Sequence, residues 1–185
     1  MTGPTSGGLE PINSGAGIKA AIGSILERDL SALGREVVAF TDDSQLWVTL
    51  PGVPNSAGNL ALHLAGNLQH FFGAVLGGTG YVRDRPAEFS RRNVPRVELL
   101  AEIEAARQAV RTALSRLSPE QLTAEYPEPI GGSRVATGEY LLHLLTHATY
   151  HLGQIDYLRR VITGSDQGVG AVRPAELSSA RQAVG

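Results

Sequence analysis

Four segments of the chain place apolar residues at the spacing of an α-helix, and this periodicity constrains the fold more than any other feature. They cover residues 18–40, 57–76, 95–117 and 137–162. Strand-like signals are weak, and the best of them is the short run at residues 46–50. Long amphipathic helices with few strands have to bury their apolar faces against one another. The sequence therefore predicts an all-α protein, an antiparallel four-helix bundle with long connecting loops.

The length of the chain and the character of its two ends indicate one domain. At 185 residues the chain can bury a substantial core. Residues 1–17 and 165–185 are rich in Gly, Pro, Ser and Thr, which predicts a flexible N-terminus and a C-terminal tail around a bundle at residues 18–164. The loop at residues 78–94 is long, and we expect it to cross one end of the bundle. Residues 118–121, with the sequence SPEQ, predict a capping box that opens a short extra helix.

The composition excludes several classes of function. The chain has no Cys, which rules out disulfides, a Cys nucleophile and Cys-bound zinc or iron–sulfur clusters. A net charge of −2 disfavours a general nucleic-acid binder. No apolar run approaches the ~18–20 residues of a membrane span, and the N-terminus lacks the layout of a signal peptide. We therefore expect a cytoplasmic protein with neither a nucleic-acid nor a membrane partner.

The five histidines are the most informative polar residues, because all of them fall in the second and fourth helical segments. His147 and His151 are four residues apart, so both lie on one face of the fourth helix, about 6 Å apart along its axis. Two imidazoles at this spacing can bind one metal ion. His63 is the best candidate for a third ligand, since the apolar stripe of the second helix turns it inward. Three imidazoles suit Zn²⁺ or Ni²⁺ and leave positions open for water or substrate. The alternative is that these are ordinary helix residues, one of them hydrogen-bonded in the core.

Other polar residues near these positions are less favoured as metal ligands but could support the site. His143 lies one turn earlier on the fourth helix and is expected to support the site or to lie at the end of the bundle. His70 would replace His63 as the ligand from the second helix if the helices packed in a different register. A partly exposed surface position is the favoured interpretation for His70. Asn59, Asn67 and Gln154 are each about one turn from a candidate ligand, where they could accept a ring N–H. The alternative for each asparagine is a polar residue on a helix face or a cap.

The loop after the second helix contains an excess of arginine. The segment contains five arginines but only two acidic residues. They are Arg83, Arg85, Arg91, Arg92 and Arg96, with Asp84 and Glu88. Such a loop could receive an anionic substrate, but internal pairing of its charges is the favoured interpretation. No carboxylate is evidently placed beside the candidate metal ligands.

Two motifs resemble those of the DinB-like superfamily of four-helix-bundle metalloproteins. They are the context N-L-x-L-H-L-x-G-N-L around His63 and H-x-x-x-H-x-G-Q-I from His147 onwards. The resemblance covers residues 18–163 and implies a metal bound by His63, His147 and His151. Relatives include thiol-dependent transferases that use bacillithiol and the mycothiol-dependent maleylpyruvate isomerase, while many members have no known activity. Relatives often carry Arg directly after the last His, where this chain has Leu152. Homodimers are common in the superfamily, which leaves homodimerisation open for this chain.

Three functions are compatible with these observations. The first is a metal-dependent transferase that uses a low-molecular-weight thiol, held by the metal as a thiolate, with a small-molecule substrate. The second is metal-assisted hydrolysis, which requires a carboxylate base beside the metal. The third is a metal-binding or stress-response protein without catalytic activity. The absent base disfavours hydrolysis, and the histidine triad disfavours a purely structural role.

Overall fold

The computed structural model describes residues 14–182, and helices account for most of them. The helices are α1 (Gly15–Val38), α2 (Ala57–Leu68), α3 (Arg85–Ser90), α4 (Arg96–Arg116), α5 (Pro119–Thr123) and α6 (Thr137–Thr163). A π-helical stretch, Gln69–Leu76, continues α2 without a break. Single 3₁₀ turns lie at Asp43–Trp47 and Pro174–Glu176. The predicted all-α bundle is confirmed, and it is built from α1, α2, α4 and α6.

The local sequence signals explain where several helices begin and end. Ser14 caps α1 by accepting the backbone N–H of Gly17. The predicted capping box at residues 118–121 is confirmed and opens α5. Gly164 ends α6 in the left-handed conformation, with φ 68°. The run at residues 46–50 was expected to be extended, but its first two residues belong to a 3₁₀ turn, because Asp42 caps the backbone N–H groups of residues 44 and 45.

The four long helices form a ring in which α1 lies diagonally opposite α2, and α4 opposite α6. Side-chain contacts give their directions. Gly23 and Gly34 of α1 pack against Leu114 and Leu100 of α4, so these helices are antiparallel. His63 lies beside His147, and Phe71 beside Tyr140, so α2 and α6 are antiparallel as well.

The two remaining neighbouring pairs of helices run parallel, so the predicted antiparallel order holds for two of the four neighbouring pairs. Asp29 of α1 accepts a hydrogen bond from Thr149 of α6, and Glu36 pairs with Arg159 seven residues further along α1 and ten further along α6. Gln69 in the π-helical stretch contacts Glu102 of α4, and Gly73, further along that stretch, lies against Ala109, further along α4. Because α2 and α4 run parallel, the chain between them, which carries α3, has to return along the bundle. The long loop therefore packs α3 along α2 and does not cross one end, which corrects the sequence expectation.

The two terminal segments lie partly outside the described residues. Of the predicted flexible N-terminus, residues 1–13 lie outside, and Gly15 to Gly17 already belong to α1. Of the predicted tail, residues 165–182 are described and pack against the bundle: Arg35 of α1 donates to the backbone oxygens of Val169 and Gly170. Within residues 14–182, no helix is long and apolar enough to cross a membrane.

Candidate metal centre

Three histidine side chains from two helices meet between α2 and α6. The Nε2 atom of His147 is 3.3 Å from Nε2 of His63 and 3.1 Å from Nε2 of His151. All three candidate ligand atoms lie within 4.8 Å of one another. His63 is buried, and the other two are half-buried. The four-residue spacing in α6 and the antiparallel packing of α2 together create this convergence.

The outer nitrogens of two of these rings have hydrogen-bond partners that orient the rings. His63 Nδ1 lies 2.8 Å from Oε2 of Glu88, and His151 Nδ1 lies 2.6 Å from Oε1 of Gln154. Both partners are oxygen acceptors, so each Nδ1 carries the proton and each Nε2 presents a lone pair to the centre. Nδ1 of His147 is buried, and no residue between 14 and 182 provides a hydrogen-bond partner for it. With its proton on Nδ1, His147 adds a third inward lone pair.

The protein environment keeps two of the imidazoles neutral. Burial, reinforced by the neighbouring His151 and His63, lowers the pKa of His147 from 6.5 to about 4. Burial also lowers the pKa of His151, partly offset by the hydrogen bond with Gln154. Neutral imidazoles are the form that binds metal ions.

Glu88 is part of the site, although the sequence offered no evident carboxylate there. Its Oε2 accepts from His63 Nδ1 and, at 2.9 Å, from Nη2 of Arg83, while its Oε1 accepts from Nε of Arg83 at 2.6 Å. Burial raises the pKa of the Glu88 carboxyl, but the hydrogen bonds from His63 and Arg83 outweigh it and leave the pKa below its ordinary value. Glu88 is therefore an ionised, buried carboxylate whose charge is balanced by Arg83.

Two residues of α2 make room for this carboxylate and fix it in place. A Cβ atom at Gly66 would clash with Oε1 of Glu88, so the glycine of the His63 motif allows the close approach. Asn59 donates from Nδ2 to the backbone oxygens of Glu88 (2.9 Å) and Arg91 (3.1 Å), and thereby ties α3 to α2. Asn59 was expected to support an imidazole directly; it instead positions the helix that carries the supporting carboxylate.

The other predicted residues lie at varying distances from the centre. Gln154 contacts His151 as described. His143 is exposed and stacks on His147 with ring centroids 6.3 Å apart. His70 is half-buried and pairs with Glu128 outside the cluster. Asn67 is buried with its Oδ1 unpartnered among the described residues, and no hydrogen bond links it to the three imidazoles. Of the loop arginines, Arg83 pairs with Glu88 inside the loop, as expected, whereas Arg96 pairs with Asp43 outside it.

The sequence did carry one signal for the segment that holds Glu88. Asp84 caps the backbone N–H of Ala87, and Pro86 follows in the first turn, a combination that marks a helix start. This signal predicts a short helix with Glu88 on it. It does not predict that the helix packs beside His63, because that contact depends on the path of the whole loop.

The arrangement of donors suits a divalent metal ion. The Nε2 atoms of His63 and His151 both direct a lone pair into the centre. The only ring proton that could lie between them is one on Nε2 of His147. Such lone pairs repel one another unless a cation lies between them. Three imidazole nitrogen donors, two of them in rings oriented by a hydrogen bond at Nδ1, are a typical ligand set for Zn²⁺ and related ions. This group of histidines could therefore hold a metal ion with a position left open.

Comparison with known proteins identifies the family. The family model of the DinB superfamily matches residues 25–155, which include all three histidines, Glu88 and Gln154. Neither the curated proteins nor the solved structures contain a match to this chain. The match covers more than half of the sequence and agrees with the helical bundle and the histidine cluster, so this chain belongs to the DinB superfamily.

Proposed function

We propose that this protein is a divalent-metal-dependent transferase that uses a low-molecular-weight thiol as the nucleophile. The observation that carries the proposal is the donor set: three imidazole nitrogens converge, and no carboxylate of the described chain joins them as a ligand. A divalent ion held by neutral ligands keeps its full charge and favours an anionic ligand at its open position. Zn²⁺ and Ni²⁺ both accept thiolate sulfur, so either ion is compatible with the proposal.

The thiol has to come from outside the chain, because the sequence contains no Cys. When bound, the divalent ion would lower the pKa of a coordinated thiol and so supply a nucleophile near neutral pH. The protein's own residues hold the imidazoles in place. Glu88 fixes the ring of His63 and Gln154 that of His151, while Arg83 neutralises the charge of Glu88. A cytoplasmic location, where thiols are kept reduced, would suit this chemistry.

Hydrolysis is disfavoured by the position of Glu88. Its two oxygens already accept three hydrogen bonds from His63 and Arg83, on the side of the His63 ring away from the inward Nε2. A general base has to reach the water that it activates, within hydrogen-bond distance or through one further water. Glu88 therefore serves as a positioning residue for His63 and does not supply the base that a hydrolase of this type requires.

A spectroscopic titration of the cobalt-loaded protein tests the proposal. We expect a small thiol such as 2-mercaptoethanol to produce a sulfur-to-cobalt charge-transfer band in the near ultraviolet and to release one proton near neutral pH. The His147→Ala variant should lose the band, and His143→Ala, a histidine one turn away, should keep it. If millimolar thiols leave the spectrum unchanged while acetate perturbs it, the transferase proposal is wrong and a hydrolase or a plain metal-binding protein takes its place.

A further inference from the structure

A second feature lies directly beside the histidine cluster: a cleft of about 520 Å³ between α6 and the chain that leads into α2. Its walls are largely apolar. Leu50 and Val53 line it from the segment before α2, and Leu158 and Val161 line it from α6. A volume of this size is typical of sites for small organic molecules.

The cleft and the histidine cluster share a side chain. His151 lines the cleft, and its Nε2 lies 3.1 Å from Nε2 of His147 in the cluster. Leu60 also lines the cleft and lies one turn before His63 on α2. A molecule in the cleft that contacts His151 therefore lies beside one of the three convergent imidazoles.

The polarity of the cleft indicates what kind of molecule it accepts. Its lining contains no Asp, Glu, Lys or Arg. The lining residues that carry polar groups are Asn55, Gln154, Tyr150, Tyr157 and His151. Gln154 uses its Oε1 to accept from His151 Nδ1, and no described residue accepts from its amide N–H groups. These N–H groups are available to a hydrogen-bond acceptor on a ligand.

An exposed part of α6 forms the rim of this cleft. Tyr150, Tyr157 and Val161 are 65%, 73% and 63% exposed, although each presents a large apolar surface. Their spacing of seven and four residues places them along one face of the helix. Aromatic rings at the mouth of an apolar cleft can pack against a planar ligand.

We propose that this cleft binds an uncharged, largely apolar electrophile with a carbonyl acceptor, as the substrate that receives the thiol. The reaction in this inference rests on the proposed function, whereas the binding of the ligand rests on the cleft alone. With an α,β-unsaturated ketone, the sulfur–carbon bond forms at the β-carbon and the π pair moves to the α-carbon. The α-carbon then takes up one proton from solvent, in place of the proton that the thiol released. The amide N–H of Gln154 is the donor for the carbonyl oxygen.

Binding is tested on the metal-free full-length chain with the neutral dye N-phenyl-1-naphthylamine, which fluoresces in apolar surroundings. We expect saturable binding of one dye per chain. Val161→Asp should weaken it at least tenfold, because a carboxylate then lies in an apolar wall. Val97→Asp is the matched control and should leave binding unchanged, since Val97 is a similarly exposed valine (72%) on α4 that does not line the cleft. Equal dye affinity in all three proteins would overturn the proposal.

Selectivity is tested by displacement of the same dye. Benzylideneacetone, a neutral unsaturated ketone, should displace the dye at least ten times more effectively than cinnamate, a carboxylate of similar size. Equal or reversed preference would overturn the assignment of an uncharged ligand. Sedimentation measures the oligomeric state of the wild type and of Val161→Asp in parallel. If the wild type is a dimer, Val161→Asp is a monomer and only the dimer binds the dye, this surface of α6 is an interface between two copies and the proposal is wrong.

The two proposals can fail separately. Dye binding and displacement use neither metal nor thiol, so they report on the cleft even if the protein forms no thiol complex. In the cobalt-loaded protein, benzylideneacetone should shift the visible absorption of the metal in the wild type and not in Val161→Asp. Displacement of the dye without any such shift would show that the cleft does not serve the histidine centre, and would overturn its role as the substrate site.

Discussion

Single hydrogen bonds to two imidazoles decide which nitrogens face the centre. Glu88 holds the proton on Nδ1 of His63, and Gln154 holds it on Nδ1 of His151. In both rings the lone pair of Nε2 is therefore directed inward before any ion binds. His147 has no such partner among residues 14–182, so it is the least constrained of the three.

The first residue-level prediction concerns the ligands themselves. His63→Ala, His147→Ala and His151→Ala should each lose tight binding of a divalent ion, because each removes one of three convergent donors. His143→Ala and His70→Ala should retain the metal, since both lie outside the group. Metal content after dialysis measures this, with circular dichroism to confirm folding. Full metal content in His151→Ala would mean that the ligand set is wrong.

The second residue-level prediction concerns Glu88. Glu88→Ala removes the acceptor for His63 Nδ1 and should weaken metal binding about 10- to 100-fold, the usual effect of losing such a partner. Glu88→Gln keeps an acceptor oxygen and should have the smaller effect. Glu128→Ala is the matched control, because Glu128 pairs with His70 outside the cluster. Competition with a chromophoric chelator gives the affinities, and equal values for Glu88→Ala and Glu128→Ala would contradict the positioning role.

At the scale of elements, a buried ion pair joins α1 to α6. Glu36 and Arg159 are fully or almost fully buried, and Arg159 also donates to Asp156 and to the backbone oxygen of Gln167. A buried charge without its partner is costly. The contact therefore fixes how two parallel helices are aligned and ties the segment after Gly164 to them.

Replacing one member of this pair should destabilise the whole bundle. We expect Arg159→Met to lower the free energy of unfolding by about 3–5 kcal/mol, because it leaves Glu36 buried and uncompensated. The double variant Glu36→Met, Arg159→Met should recover much of the loss. As a control, Arg111→Met removes a half-exposed pair with Glu27 and should cost less than about 1 kcal/mol. Urea denaturation measures all three, and a double variant less stable than the single one would refute this account.

At the scale of the whole molecule, the histidine cluster makes stability depend on pH. The unfolded chain protonates His147 near its ordinary pKa of 6.5, whereas the folded chain does so only near a pKa of about 4. Between these values the unfolded state binds more protons, so acid favours unfolding. We expect the metal-free protein to lose stability as the pH falls from about 6.5 to about 4, in urea titrations at several pH values.

Substitution of His147 isolates its contribution to this dependence. His147→Gln should have a shallower loss of stability over the same pH range, because the titrating group is gone. His143→Gln removes an exposed histidine one turn away and should follow the wild type. If the curves of His147→Gln and the wild type run parallel, the acid sensitivity has another origin. At neutral pH, adding Zn²⁺ should raise the midpoint of unfolding in the wild type, since the ion binds only the folded chain tightly.

Much of the fold could be predicted because its signals are local. The helical periodicity, the capping box at residues 118–121 and Gly164 each act within a few residues, and the structure contains the corresponding helices and caps. The same holds for His147 and His151, whose common face follows from their four-residue spacing. His63 was a sound third candidate because the apolar stripe of α2 already turns it inward.

The sequence alone determined the helices, the capping box at residues 118–121 and the common face of His147 and His151, since these follow from spacing along one chain. Only the tertiary structure decided that α2 and α4 run parallel, which sends the connecting chain back along α2. That return places Glu88 against His63 over a separation of 25 residues, in the space left by Gly66. Such contacts result from the packing of the whole bundle, where the burial of many side chains fixes a loop whose own residues favour no single path.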